Sequence, residues 1–170
     1  MPSPVGHALG GLAAALVVDS IAGRPRLTVP LLAGAATLAM APDLDLLIGS
    51  HRAYTHSLGA VFVVGLASWL VLRGRGPNAV RAAMILMAAY AAHPVLDWMG
   101  KDTSRPPGLM LAWPFSSAYF VSGWNLFGEV SRRYWLPQEF VIGNLRALSW
   151  ELTVLMPLVL IAWVRWSRGR

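Results

Sequence analysis

An all-α, polytopic membrane helical bundle is the fold this sequence predicts, with about five spanning or deeply inserted helices and an aromatic-rich outer cap. Three observations point there. The chain is 56% hydrophobic and 13% charged, roughly half the charge of a soluble domain, and its mean hydropathy is +0.53. Its apolar residues gather into runs that approach spanning length. Its arginines sort to alternate linkers. The plainer alternative, a soluble helical bundle, does not need runs of that length. At 170 residues the chain makes one domain, 1–170, with 100–147 as the interfacial cap.

The first run covers 5–22. No Lys or Arg precedes Arg24, and Asp19 interrupts the apolar stretch, so the run reads as a retained helix and not as a signal peptide. Eighteen residues at 1.5 Å each span about 27 Å, close to a hydrocarbon core of about 30 Å. The second run, 27–48, ends in Pro42-Asp43-Leu44-Asp45. Pro42 lacks an amide donor and disfavours helix at Ala41, so a broken helix is expected there, swinging both carboxylates toward one pocket. The third run, 56–72, follows His51-Arg52-Ala53-Tyr54-Thr55-His56-Ser57, with Thr55 or Ser57 as its N-cap. The fourth, 79–98, carries His93 and Asp97. The stretch 100–147 is rich in Pro, Gly, Ser, Trp, Tyr and Phe and is expected to hold short interfacial helices. The fifth run is 148–166. Gly10-Gly11 and Ala33-Gly34-Ala35-Ala36 suit close approach of helix backbones in lipid.

Alternating spans put Arg24, Arg26, Arg73, Arg75, Arg81, Arg165, Arg168 and Arg170 on one side, against Asp19 alone. The other side balances Arg52, Lys101, Arg105, Arg132, Arg133 and Arg146 against the remaining acids. The positive-inside bias makes the arginine side cytoplasmic, with the N-terminus outside and the C-terminus inside. The pI near 10.8 belongs to this topology. No basic run interleaved with aromatics and no nucleic-acid motif is present, so nucleic acid is not an expected partner. With no cysteine, any metal must sit on N and O ligands.

All four histidines and three of the eight acids then fall at one outer membrane level: His7, Asp43, Asp45, His51, His56, His93 and Asp97. Such groups are costly in apolar surroundings, and imidazole and carboxylate are the ligands that hold divalent metals such as zinc. His93 and Asp97 stand i,i+4 on one helix face. His51 and His56 would point about 140° apart on a continuous helix, so a turn must bring them together. Taken singly, each has a plain reading: a histidine–carboxylate hydrogen bond, helix-end aspartates, a structural histidine at a helix start. Seven N/O groups at one level are more than one tetrahedral zinc needs, so one to three ions fit, two of them suiting phosphoester hydrolysis. Zinc is preferred to manganese or magnesium.

The order His7, Pro42-Asp43-Leu44-Asp45, His51-Arg52-Ala53-Tyr54-Thr55-His56-Ser57, His93-Pro94-Val95-Leu96-Asp97 resembles the inner-membrane-associated metal-dependent hydrolases, also described as LexA-binding. Trp113-Pro114-Phe115-Ser116 is similar to a later segment of that family, so the likeness covers roughly 5–117. It implies a hydrolase in the bacterial inner membrane without supplying a substrate. A fainter likeness links the His and Asp pattern to zinc-dependent phospholipase C and the P1-type nucleases, whose N-terminal Trp ligand this chain lacks.

The resulting expectation is a membrane-embedded metallohydrolase cleaving a phosphoester of a phospholipid or lipid-linked substrate at the outer interface. His7, Asp43, His51, His56, His93 and Asp97 would hold metal. Asp45 would bridge, support a ligand or act as general base, and Arg52, with Arg105, Arg132 or Arg133, would neutralise phosphate. Two rivals stand beside it: a non-catalytic protein whose metal locks helix ends and presents a partner surface, and a metal transporter. LexA is cytoplasmic and the cluster is expected outside, so LexA binding is not expected. A transporter would need ligands along a path, and only Asp19 lies in the cytoplasmic half.

Overall fold

A computed structural model describes residues 1–23, 27–49 and 51–169, apart from the Ile48 side chain. Arg24, Arg26 and Arg170 of the charge pattern lie outside the described residues. The described chain is all-helical: α1 (Pro4–Ile21), α2 (Val29–Met40), α3 (Leu58–Leu72), α4 (Ala79–Met99) and α5 (Pro137–Arg168). Five segments are long and apolar enough to cross a membrane, the second being α2 with its 3-10 extension to Leu47.

Helix starts follow their capping chemistry. Ser3 caps α1 through its hydroxyl, which accepts from the Gly6 amide, with Pro4 in the first turn. Ser57 does the same for α3 by accepting from Ala60 at 3.1 Å. At Pro42 the α-helix gives way to a 3-10 helix, Ala41–Ile48, as the missing amide requires.

Helix α4 is the central element, packed by α1, α2 and α3, and α1 in turn carries α5. Small residues make these crossings. A Cβ at Gly11 would collide with that of Ala39 and lie 3.1 Å from the Ala35 carbonyl oxygen, so α1 and α2 meet backbone to backbone. Large apolar side chains point outward instead, among them Phe62, Val63 and Val71 on α3 and Leu158, Leu160 and Ile161 on α5. In water that arrangement would be unstable; lipid makes it the solvated face.

Two expectations about the cap are corrected. Helix α5 starts at Pro137 and takes in 137–147, which the sequence reading gave to the cap. Within this added stretch the Asn144 side chain is occupied by the Ser131 backbone, accepting its N–H at 2.7 Å and donating to its carbonyl at 3.0 Å. The helix therefore passes Asn144 intact. At 32 residues it is about 48 Å long and must project beyond the hydrocarbon core. The remaining cap holds no helix among the described residues. It is fastened by backbone bonds: Leu58 and Gly59, whose amides open α3, donate to the carbonyls of Leu111 and Trp113, both at 2.9 Å. Trp113 thereby seats over the start of α3, against a glycine that leaves it room.

Candidate metal centre

Four separate pieces of chain deliver the polar groups to one end of the bundle. His7 comes from the first turns of α1, Asp43 and Asp45 from the 3-10 helix, His51 and His56 from the segment before α3, and His93 and Asp97 from the last turns of α4. His7, His56 and His93 are fully buried, and Asp97 is 2% exposed.

The 3-10 helix decides which carboxylate goes where. Residues turn about 120° each on such a helix, so Asp43 and Asp45 diverge and do not share one pocket as expected. Asp43 joins His56, His93 and Asp97, and these four place one ligand atom each within 4.8 Å of one another. His93 Nε2 lies 3.0 Å from His56 Nε2, 3.2 Å from Asp97 and 3.6 Å from Asp43. His56 Nε2 lies 3.4 Å from Asp97 and 3.8 Å from Asp43. Donors about 2.0–2.1 Å from a tetrahedral zinc stand about 3.4 Å apart. The set could therefore hold a metal ion. His7 stacks on His93 at 3.6 Å between ring centroids and brings Nε2 within 3.3 Å of Asp97.

Orientation of the rings agrees with that use. His93 Nδ1 donates to the Ala39 carbonyl at 2.7 Å, which leaves the Nε2 lone pair facing the cluster. Both ring nitrogens of His7 and both carboxylate oxygens of Asp97 are buried without a hydrogen-bond partner. Such groups are rare in folded proteins, and an ion is one thing that satisfies them. Burial opposes a charge on His56, but the attraction of the Asp43, Asp45 and Asp97 carboxylates within 4 Å outweighs it and raises its pKa to about 10. The surrounding carboxylates thus favour positive charge at the place where a cation would bind.

Asp45, 3% exposed, is the hub of a second set. Its Oδ1 accepts from His51 Nδ1 at 2.7 Å. Its Oδ2 accepts from the Thr55 hydroxyl at 2.6 Å and the Arg52 amide at 3.1 Å, and lies 3.2 Å from His56 Nδ1. Asp45, His51 and His56 form another group with ligand spacing. His56 is common to both groups: Nε2 faces the first and Nδ1 faces Asp45. Burial lowers the pKa of His51, against the pull of Asp45.

Of these residues Asp43 and His51 open onto a cleft of about 880 Å³ that is also lined by Arg52, Glu129, Arg132 and Arg133, with Leu46, Tyr134 and Phe140 at its apolar edge. Arg132 reaches His51 Nε2 at 3.2 Å. Arg52 adopts a left-handed backbone, φ 67°, and its guanidinium is bound to Asp102, so its charge is already matched. Arg133 approaches Glu139 at 3.8 Å with both side chains well exposed, a pairing worth little. Arg105 lies exposed on the cap, outside the lining of this cleft.

A family profile described as YdjM inner membrane protein matches residues 1–169, the whole length of the fold and all seven of these His and Asp residues. The chain belongs to that family. It is thus a membrane protein of an inner-membrane family, in accord with its five apolar helices. No curated protein and no solved structure matches the chain.

Several groups that shape the site escaped the sequence reading. Glu151, fully buried on α5, accepts the Ser3 amide at 2.7 Å and the Ser3 hydroxyl, tying α5 to the start of α1 one turn from His7. Its signal was available: it is the one acid inside the last apolar run. Tyr90 donates to the Thr55 carbonyl at 2.7 Å and steadies the loop that carries His56. Asp102 binds Arg52, Ser104 and the Gly108 amide. Nothing local marks Tyr90 or Asp102, because their partners are 35 and 50 residues away in sequence.

Proposed function

We propose that this protein is a metal-dependent hydrolase that cleaves a phosphoester of a phospholipid or lipid-linked substrate. One observation carries the reading: His7 and Asp97, buried and unsatisfied, converge with His56, His93 and Asp43, and Asp43 opens that group onto a cleft. A donor set of three imidazoles and two carboxylates favours zinc over magnesium, which takes oxygen ligands. Holding ions in both groups would require His56 to bridge them as an imidazolate, so one principal ion is the simpler occupancy. When bound, a divalent ion supplies Lewis acidity toward water and a phosphoryl oxygen.

The chain's own residues do the rest. Arg132 stands beside the cluster and can pair with a phosphate oxygen, with Arg133 farther out along the same wall. Asp45 fixes His51 so that Nε2 faces the cleft next to Arg132, and holds His56 so that Nε2 faces the ion site. Arg52 serves as a brace between Asp45 and Asp102. Exposed Leu46 and Tyr134 line the cleft and favour a substrate that stays partly in lipid. The arginine-rich opposite end would be cytoplasmic, which puts the cleft on the outer face.

The test is metal analysis of purified protein coupled to hydrolysis of a phospholipid panel. Wild-type protein should carry metal and turn over a lipid phosphoester; chelation and the double variant His56→Ala, Asp97→Ala should both abolish turnover. Unimpaired turnover by metal-free protein would overturn the proposal. Chelated wild-type protein supplies the readout should the double variant misfold.

A further inference from the structure

The opposite end of the bundle holds its own polar cluster. Asp19, fully buried near the end of α1, accepts from Arg81 Nε of α4 at 2.7 Å and from Trp166 Nε1 of α5 at 2.7 Å. Arg81 also donates to the Asp19 carbonyl at 2.6 Å. Twelve residues of α1 separate Asp19 from His7, about 18 Å of rise, so this cluster is remote from the cleft.

Beside it opens a cavity of about 400 Å³. Helices α2 and α3 each pack on α4 but share no extended interface, which leaves a furrow between them with α4 as its floor. The furrow is two-natured. Its walls are Leu31 and Gly34 of α2, Leu72 of α3 and Leu86 of α4; its mouth carries Arg75 and Arg81. Asp19 matches the charge of Arg81. Arg75 is exposed and makes no ion pair with any described residue. Asp19 is the only acid at this end, so the mouth is net positive.

We infer that this furrow is a binding site for one anionic phospholipid of the leaflet at the arginine-rich end, its phosphate at Arg75 and an acyl chain along Leu31, Leu72 and Leu86. The surrounding solvent is lipid, so an apolar furrow there is filled by a chain in any case; the arginine at its mouth selects the headgroup. A basic pocket between membrane helices on the cytoplasmic side is a recurrent lipid-binding arrangement. A free anion fits less well, because it would leave the apolar walls uncovered. The site is independent of the metal centre and of any hydrolysis there.

Two substitutions separate the contributions. Arg75→Gln removes the charge at an exposed position with no ion pair to lose. Gly34→Leu fills the furrow where a Cβ would stand 3.5 Å from Leu86. Delipidated full-length protein would be mixed with equal amounts of phosphatidylglycerol and phosphatidylcholine of matched chains, and retained lipid counted by native mass spectrometry. Wild-type protein should retain one phosphatidylglycerol in preference. Arg75→Gln should cut that preference about fivefold, the worth of one arginine near a membrane surface. Gly34→Leu should lose the retained lipid while unfolding at an unchanged or higher temperature. Equal retention of the two lipids by wild-type protein, unaltered preference in Arg75→Gln, or displacement by millimolar inorganic phosphate would overturn the inference.

Discussion

Replacing Asp45 by Asn separates a residue that holds metal from one that positions the residues that do. Asp45 presents two oxygens to four neighbours: His51 Nδ1 at 2.7 Å, Thr55 Oγ1 at 2.6 Å, the Arg52 amide at 3.1 Å and His56 Nδ1 at 3.2 Å. An Asn side chain keeps one acceptor and must aim its NH₂ at one side. Toward Oδ2 it would face three donors, so it turns toward His51. His51 must then shift its proton to Nε2, where the Arg132 guanidinium waits at 3.2 Å. One charge-assisted bond is lost and a donor pair is set against itself, about 2–3 kcal/mol of stability. The His56 contact survives in weaker form, so metal affinity should fall about 10–100-fold, the range for groups that orient a metal-bound imidazole. His93→Ala, which removes a donor atom from the cluster, should instead leave the protein without metal. Competition titration against a chelator in detergent, with thermal unfolding beside it, measures both. The reasoning fails if Asp45→Asn strips metal as completely as His93→Ala, or if affinity stays within twofold of wild type.

Gly11→Ala should lower stability by about 1–3 kcal/mol, because the new methyl meets Ala39 and the Ala35 carbonyl; Ala39→Gly in the same chain should restore part of the loss in thermal unfolding. Burial opposes the charge on Asp102, but the Ser104 hydroxyl, the Gly108 and Ser104 amides and the Arg52 guanidinium prevail and hold its carboxyl below the ordinary range near 3.8. A depressed pKa stabilises the folded cap above the unfolded value and loses that contribution as pH falls through the folded one. Hydrogen exchange over 101–110, taken relative to the rate of an unprotected amide at the same pH, should therefore stay flat from pH 7 to about 4 and rise only below it. In Asp102→Asn it should be fast throughout, and equal protection in the two proteins at pH 7 would contradict the assignment. A cysteine at Ser117, exposed on the cap, should be labelled from outside the cell, and one at Gly74, in the turn after α3, only once the membrane is permeabilised. The reverse pattern would invert the orientation.

Much of the fold was legible because its signals are local. Capping at Ser57, the break at Pro42 and the i,i+4 placement of His93 and Asp97 depend on neighbours within a few residues. The later start expected for α5 came from composition, since 137–147 closes a stretch rich in Pro, Gly, Ser and aromatics, and the bond that satisfies Asn144 comes from Ser131, thirteen residues away. Expecting both aspartates in one pocket failed for a related reason. Proline announced an irregular backbone but not that it would be 3-10, and the 120° turn per residue is what separates Asp43 from Asp45.

The alternation of arginine-rich and acid-balanced linkers, with apolar runs between them, determined by itself an all-helical membrane bundle whose seven His and Asp residues share one end. Charge and hydropathy suffice for that, since lipid excludes both charge and unpaired backbone. Tertiary structure alone decided how those residues divide. His7, Asp43, His56, His93 and Asp97 converge with buried atoms left unsatisfied, while Asp45 turns away to hold His51 and His56 in place. It also matched Arg52 with Asp102, leaving Arg132 beside the cluster. Those pairings depend on distances of a few ångströms between segments far apart in the chain, and residue spacing carries no record of them.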